Sequence, residues 1–193
     1  PSRATNDALQ ALHPARKKQV AAGDRDAAEA SEPLSLDKDM LAKALLQANR
    51  ESAPGNDGWA YDILRCLAGE DPATAHAREP ALTAFHGLCE LIANGKADAD
   101  FTKVIAGARL IALEKGGGKV RPIAIGSAIR RLVARSLVSQ FKPKISKHFE
   151  GLQFGVADKD GSAKIVHAVN MLLSEFPTHA ALLLDAKNAL RGA

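Results

Sequence analysis

The segment RLIALEKGGGKVRPIAIG, residues 109–126, constrains the fold more than any other part of the chain. Apolar and polar residues alternate on either side of three consecutive glycines, the pattern of two short strands joined by a turn. Side chains alternate faces along a strand, so Ile111, Leu113 and Lys115 share one face of the first arm. Lys119, Arg121, Ile123 and Ile125 share one face of the second. With the glycines as the turn, Lys115 sits opposite Lys119 and Leu113 opposite Arg121. Three cations then gather on one face at the tip, and the aliphatic residues nearer the base are expected to bury that same face. Like charges placed across a sheet repel, which points to an anion between them, a polyphosphate foremost. Glycine lets the backbone approach such an anion closely. The alternative is a solvated tip with ordinary lysines. The G-x-x-x-x-G-K-[ST] phosphate loop is excluded, because the spacing is absent and the run leads into a strand instead of opening a helix.

Charge is concentrated around this segment. The 193 residues carry a net charge of +4, but residues 1–101 hold 11 Lys and Arg against 16 Asp and Glu, whereas residues 102–150 hold 11 against 2. A block of net +9 is an electrostatic footprint for nucleic acid or nucleotide, with a merely solvated basic face as the alternative. Hydrophobic residues make up 46% of the chain, enough for a core, while aromatics at 4% leave that core to aliphatic and alanine-rich helix packing. No apolar run approaches the ~20 residues of a membrane span, so no membrane partner is expected. Cys66 and Cys89 lack metal-ligand spacing and the six histidines are scattered. These features argue against a zinc site and for a reducing, intracellular setting, nuclear or cytoplasmic.

Before the hairpin the pattern is helical. A short helix over 6–12 is expected to stop at Pro14, with linker up to Pro33. Residues 1–34 are read as a linker or N-terminal extension. Ser35 is expected to cap a helix whose apolar stripe is Leu36, Met40, Leu41, Ala44, Leu45 and Ala48. Pro54-Gly55-Asn56-Asp57-Gly58 is dense turn chemistry, and a short helix through Ile63, Leu64 and Leu67 follows. Beyond a linker containing Pro72 and Pro80, Leu82, Phe85, Leu88, Cys89 and Ile92 mark a helix closed by Asn94-Gly95.

After the hairpin, Ser127 caps a helix with Ile129, Val133, Leu137 and Phe141 inward, while Arg130, Arg131, Arg135 and Lys142 lie largely off that stripe. Pro143 is expected to end or bend it. Gln153-Phe154-Gly155 and an Asp/Gly turn lead to a helix from Ser162, with Ile165, Val169, Leu172, Leu173 and Phe176 inward. Residues 180–184, AALLL, read as a strand buried on both faces that delivers Asp185 at its end.

Taken in order, the Pro54–Gly58 turn, the hairpin with Arg121-Pro122-Ile123, Gln153-Phe154-Gly155 and the run ending in Asp185-Ala186-Lys187-Asn188-Ala189 resemble the N-terminal half of a reverse transcriptase of the non-LTR retrotransposon and group II intron type. The resemblance covers roughly residue 35 to the end. It implies an α+β fold, with a polymerase-type fingers subdomain over 35–177 and the truncated start of a palm over 178–193. The activity implied is RNA-directed DNA polymerisation, with an RNA template, a DNA primer or target, dNTP and two Mg²⁺ in the complete enzyme. In that family the hairpin's lysine and arginine contact the incoming triphosphate, and Lys115 and Arg121 match them, with Lys119 alongside. Asp185 matches the first catalytic carboxylate, so Asp185 and Ala186 are the implied metal ligands. Phosphoryl transfer requires such charge neutralisation. Read without the preceding motifs, Asp185 is instead a strand-end cap or an ion-pair partner of Lys187. Arg130, Arg131 and Arg135 are the expected nucleic-acid contacts.

Two departures stand out. The family's second carboxylate pair, typically Tyr-x-Asp-Asp, is not in this sequence, so the chain is expected to be a fragment and inactive alone. The aromatic residue that the family places five positions after the catalytic aspartate, under the incoming sugar, is here Leu190. Alternative readings are a decayed relic that only binds RNA, and an intron maturase.

Overall fold

The computed structural model describes residues 2–12, 32–69, 75–117, 119–151, 153–156 and 159–184. Among them the fold is α+β, with seven helices and one two-stranded antiparallel sheet. The chain divides into two units, Pro1–Ser139 and Gln140–Ala193.

In the first unit, α1 spans Arg3–Leu12, α2 Lys38–Leu46, α3 Tyr61–Arg65, α4 Ala75–Ala93 and α5 Ala99–Ala106. Strands β1, Ala108–Glu114, and β2, Val120–Gly126, follow, and then α6, Ala128–Phe149, which runs across the division between the units. The expected stripe of α2 is the centre of the core: Leu36, Leu41, Ala44, Leu45 and Ala48 are buried against Tyr61, Leu64, Cys89, Ile129, Leu132 and Val133. Burial among these aliphatic neighbours pushes the Cys89 thiol up to about 12, so it stays protonated and behaves as a small apolar side chain.

The N-cap of α2 is Asp37, not Ser35: its carboxylate accepts from Met40 N at 2.9 Å, the geometry that satisfies an otherwise unpaired first-turn amide. The extended stretch before it has no strand partner among the described residues and is held by side chains of α4 and of Asn94 just after it. Leu34 N donates to Asn94 Oδ1 at 2.7 Å, Asn94 Nδ2 donates to Leu34 O at 2.9 Å, and Leu36 N donates to Glu90 Oε1 at 3.0 Å. His86 Nε2 completes the set on Leu36 O. These three side chains recur every four residues, so one face of α4 serves the backbone of 34–36 as a neighbouring strand would.

Pro80, expected in a linker, lies within a helix, and Pro143 does not end the helix that contains it. Pro80 is near the start of α4 and forfeits only the bond to the His76 carbonyl, while α6 continues through Pro143 to Phe149. α4 closes as expected, with Gly95 at φ +66° and Lys96 N donating to Leu91 O at 2.8 Å. The expected linker residues 13–31 and 70–74 lie outside the described residues.

The second unit holds the end of α6 and α7, Gly161–Glu175. Two expectations fail there. Ile165 and Leu172 of α7 and Phe176 at its end are exposed, not inward, because no described element of this unit covers that face. Residues 180–184 form no strand, and Leu182, Leu183 and Leu184 are 82%, 90% and 86% exposed. A strand must pair its backbone N–H and C=O groups with a neighbour, and the only sheet among the described residues is β1–β2. No helix among them is long and apolar enough to cross a membrane.

Leu132 is fully buried, so Leu132→Ala should lower the unfolding free energy by about 2–5 kcal/mol in urea titrations. Leu183→Ala should change it by less than about 0.5 kcal/mol. Equal effects would contradict this placement of the core.

Candidate nucleic-acid interface

The hairpin has the register that the alternation predicts. Leu113 pairs with Arg121, Ile111 with Ile123 and Arg109 with Ile125. Beyond the last pair, Lys115 N donates to Lys119 O at 2.9 Å and Lys119 N to Gly116 O at 3.2 Å. Gly116 and Gly117 take φ of +79° and +60°, a conformation that side chains resist, which explains the glycine run. Paired residues share a face, so Lys115, Lys119 and Arg121 lie together, all three exposed and without an ion-pair partner among the described residues. Glu114 pairs with Val120 and belongs to the opposite face. Arg109 shares the cationic face by the same odd-numbered parity, a fourth cation that the two-residue period already contains.

The aliphatic part of the face is less buried than expected. Ile111 and Ile125 are half-buried, but Leu113 and Ile123 are exposed at 48% and 37%. Among the described elements α1 packs on β2, and burial rises toward the base of the hairpin, where Gly126 is buried.

What holds the base is the Pro54–Gly58 turn together with the start of α6. A side chain at Gly55 would put its Cβ 2.7 Å from Ser127 N and 2.8 Å from the Gly126 carbonyl carbon, so the turn lies directly on the end of β2. Ser127 Oγ accepts from Ile129 N at 3.2 Å and Arg130 N at 3.4 Å, starting α6 where the strand stops. Arg130 Nη1 donates to Ala106 O at 2.9 Å, and its guanidinium fills the space beside Gly126. It therefore reaches both ends of the hairpin. Arg131 Nη2 donates to Ala53 O at 2.8 Å, and the guanidinium lies over the Tyr61 ring, 5.2 Å from its centroid. Arg131 Nε and Asp57 Oδ2 are buried and have no hydrogen-bond partner among the described residues.

The three arginines expected to face nucleic acid thus differ. Arg131 is half-buried and holds the Pro54–Gly58 turn, Arg130 is exposed but spends one nitrogen on Ala106, and Arg135 is exposed and has no partner among the described residues. The alternation that predicts the hairpin carries no signal for these inward bonds, because the long guanidinium side chain of an arginine off the apolar stripe still reaches a carbonyl. Asp185, Ala186 and Leu190 lie outside the described residues. Among those described, no cluster of three or more His, Cys, Asp or Glu is placed to hold a metal ion.

No protein-family model matches the chain, and no solved structure matches it. Among curated proteins, it is similar to the retrotransposable element SLACS 132 kDa protein of Trypanosoma brucei gambiense, at 29% identity over 159 residues. The match covers 81% of this chain and 12% of that protein's length. The similarity points to a retroelement origin.

Arg131→Ala should lower the unfolding free energy by about 1–3 kcal/mol, since it removes the bond to Ala53 and the stack on Tyr61. Arg135→Ala should change it by less than about 0.5 kcal/mol in the same urea titration. A stable Arg131→Ala protein would contradict the anchoring role.

Proposed function

We propose that the chain is the nucleotide-gripping fingers part of a retroelement RNA-directed DNA polymerase. The observation that carries the reading is the hairpin register, which collects Lys115, Lys119 and Arg121 on one exposed face and leaves Glu114 on the other. The likeness to a retrotransposable element protein supports the same reading. A triphosphate laid along this face meets cations from both strands, and the glycine turn leaves room for close approach to the backbone. Its negative charge relieves the repulsion that otherwise sets Lys115 against Lys119.

The partners proposed are a dNTP, an RNA template and a DNA primer or target. Asp185 and Ala186 are proposed as Mg²⁺ ligands on the resemblance alone, and Leu190 as the residue beneath the incoming sugar. Mg²⁺ held there would neutralise charge on the reacting phosphates. The part played by the described residues is independent of it: they bind and orient the triphosphate. Of the α6 arginines, Arg135 is the one free to take a template phosphate.

Equilibrium binding of a dNTP to the 193-residue chain tests the reading. A charge-assisted hydrogen bond to phosphate is worth roughly 1.5–3 kcal/mol, so Lys115→Ala and Arg121→Ala should each weaken binding about ten- to a hundred-fold. Glu114→Gln, on the opposite face, should not weaken it. Binding indifferent to both cation variants would refute the proposal.

A further inference from the structure

A second basic feature lies in the second unit, away from the hairpin in sequence. The last turns of α6, the segment 153–156 and the first turn of α7 enclose a groove of about 610 Å³, within the roughly 300–1,000 Å³ of small-ligand sites. Its walls carry Lys147, Phe149, Glu150, Gln153, Phe154 and Lys164.

The groove is formed by local constraints that fix its shape. Gly151, at φ +73°, turns the chain out of α6, and Gln153 N donates to Phe149 O at 3.0 Å. Gln153 Oε1 accepts from Gly155 N at 2.8 Å, which leaves its amide NH₂ as a donor. Gly161 is buried directly against the Phe154 carbonyl, where any Cβ would collide, so the segment is pinned to the start of α7. Phe149 and Phe154 are both half-buried, and Phe149 is further fixed by an edge-on contact with His148 at 4.8 Å between centroids.

A lysine, two held aromatic rings and a free amide donor form a combination suited to one chemistry. Aromatic faces stack on unpaired bases of any identity, and flanking cations take the phosphates on either side. Glu150 is the one carboxylate among the described lining residues and offers an acceptor for a base N–H. Lys147, Gln153 and Gly155 are exposed, so the groove is open and a strand can enter and leave it. A duplex keeps its bases stacked inside and offers no free ring to insert. Lys142 and Lys144, on the same stretch of α6, extend the positive charge. We infer that this groove holds one unpaired base of a single-stranded nucleic acid, stacked on Phe154, with a neighbouring phosphate on Lys147. The inference rests on reading the chain as a nucleic-acid-handling part of a retroelement protein, and adds to that reading a site outside the hairpin.

The test uses the full 193-residue chain with a short labelled oligouridine carrying 4-thiouridine, beside a blunt RNA duplex with the same number of phosphates. Phe154→Ala should weaken oligouridine binding about five- to a hundred-fold and leave duplex binding unchanged. Phe154→Leu keeps the apolar volume, guards against a folding defect, and should lose binding likewise. Lys147→Gln should reduce the salt slope of oligouridine binding by about one. Photo-crosslinks should fall within residues 149–156. The inference is overturned if the parent chain does not bind oligouridine, if the Phe154 and Lys147 variants bind as the parent does, or if crosslinks fall elsewhere. A dNTP titration on the same variants separates the two ideas. Retained dependence on Lys115 and Arg121, with oligouridine binding indifferent to Phe154, removes the groove and leaves the hairpin reading standing.

Discussion

A two-stranded hairpin is marginal in water by itself, and everything proposed for the cationic face depends on what grips the hairpin at its base. Here the grip is local and specific. The Pro54–Gly58 turn lies on the junction of β2 and α6, at a distance that only glycine at position 55 permits. Arg130 ties the last residue of α5, just ahead of β1, to the first turn of the helix after β2. The buried Ser127 starts that helix at once. Because Ile129, Leu132 and Val133 root the same helix in the core, the orientation of the hairpin is set by core packing, not by the hairpin's own bonds.

This arrangement divides the labour among the cations of a strongly basic stretch. Net charge attracts a polyanion at long range, but a cation whose donors are spent on carbonyls has less to give at contact. Arg131 is the clearest case, half-buried over Tyr61 and bonded to Ala53. The hairpin cations and Arg135 are the reverse, exposed and without partners among the described residues. Part of the positive block therefore builds the platform and part remains free on it.

Local periodicity made much of this legible. The two-residue alternation around three glycines predicts the pairing of Leu113 with Arg121, and the 3.6-residue stripe predicts the buried face of α2. Ser127 reads correctly as a cap because its hydroxyl acts on amides two and three residues away. What the pattern does not encode is long-range partnership. The hold of His86, Glu90 and Asn94 on residues 34–36 joins segments fifty to sixty positions apart through side chain to backbone bonds. The run 180–184 fails for the complementary reason. Its apolarity describes a strand able to be buried, while burial requires neighbours, and those are not among the described residues. The candidate site divides the same way: Lys115, Lys119 and Arg121 follow from alternation, whereas the inward turn of Arg131 needs the position of Ala53 in space.

Amide hydrogen exchange across the hairpin, with and without a saturating deoxynucleoside triphosphate, tests the central claim most directly. The claim is a pre-set hairpin whose tip closes on a polyphosphate. The account predicts slow exchange at the base pairs of β1 and β2 in the free chain, and added protection at Lys115, Gly116 and Lys119 on triphosphate binding. Core amides of α2 should be unchanged. Fast exchange along the whole hairpin in the free chain, or triphosphate protection that appears only away from its tip, would contradict it.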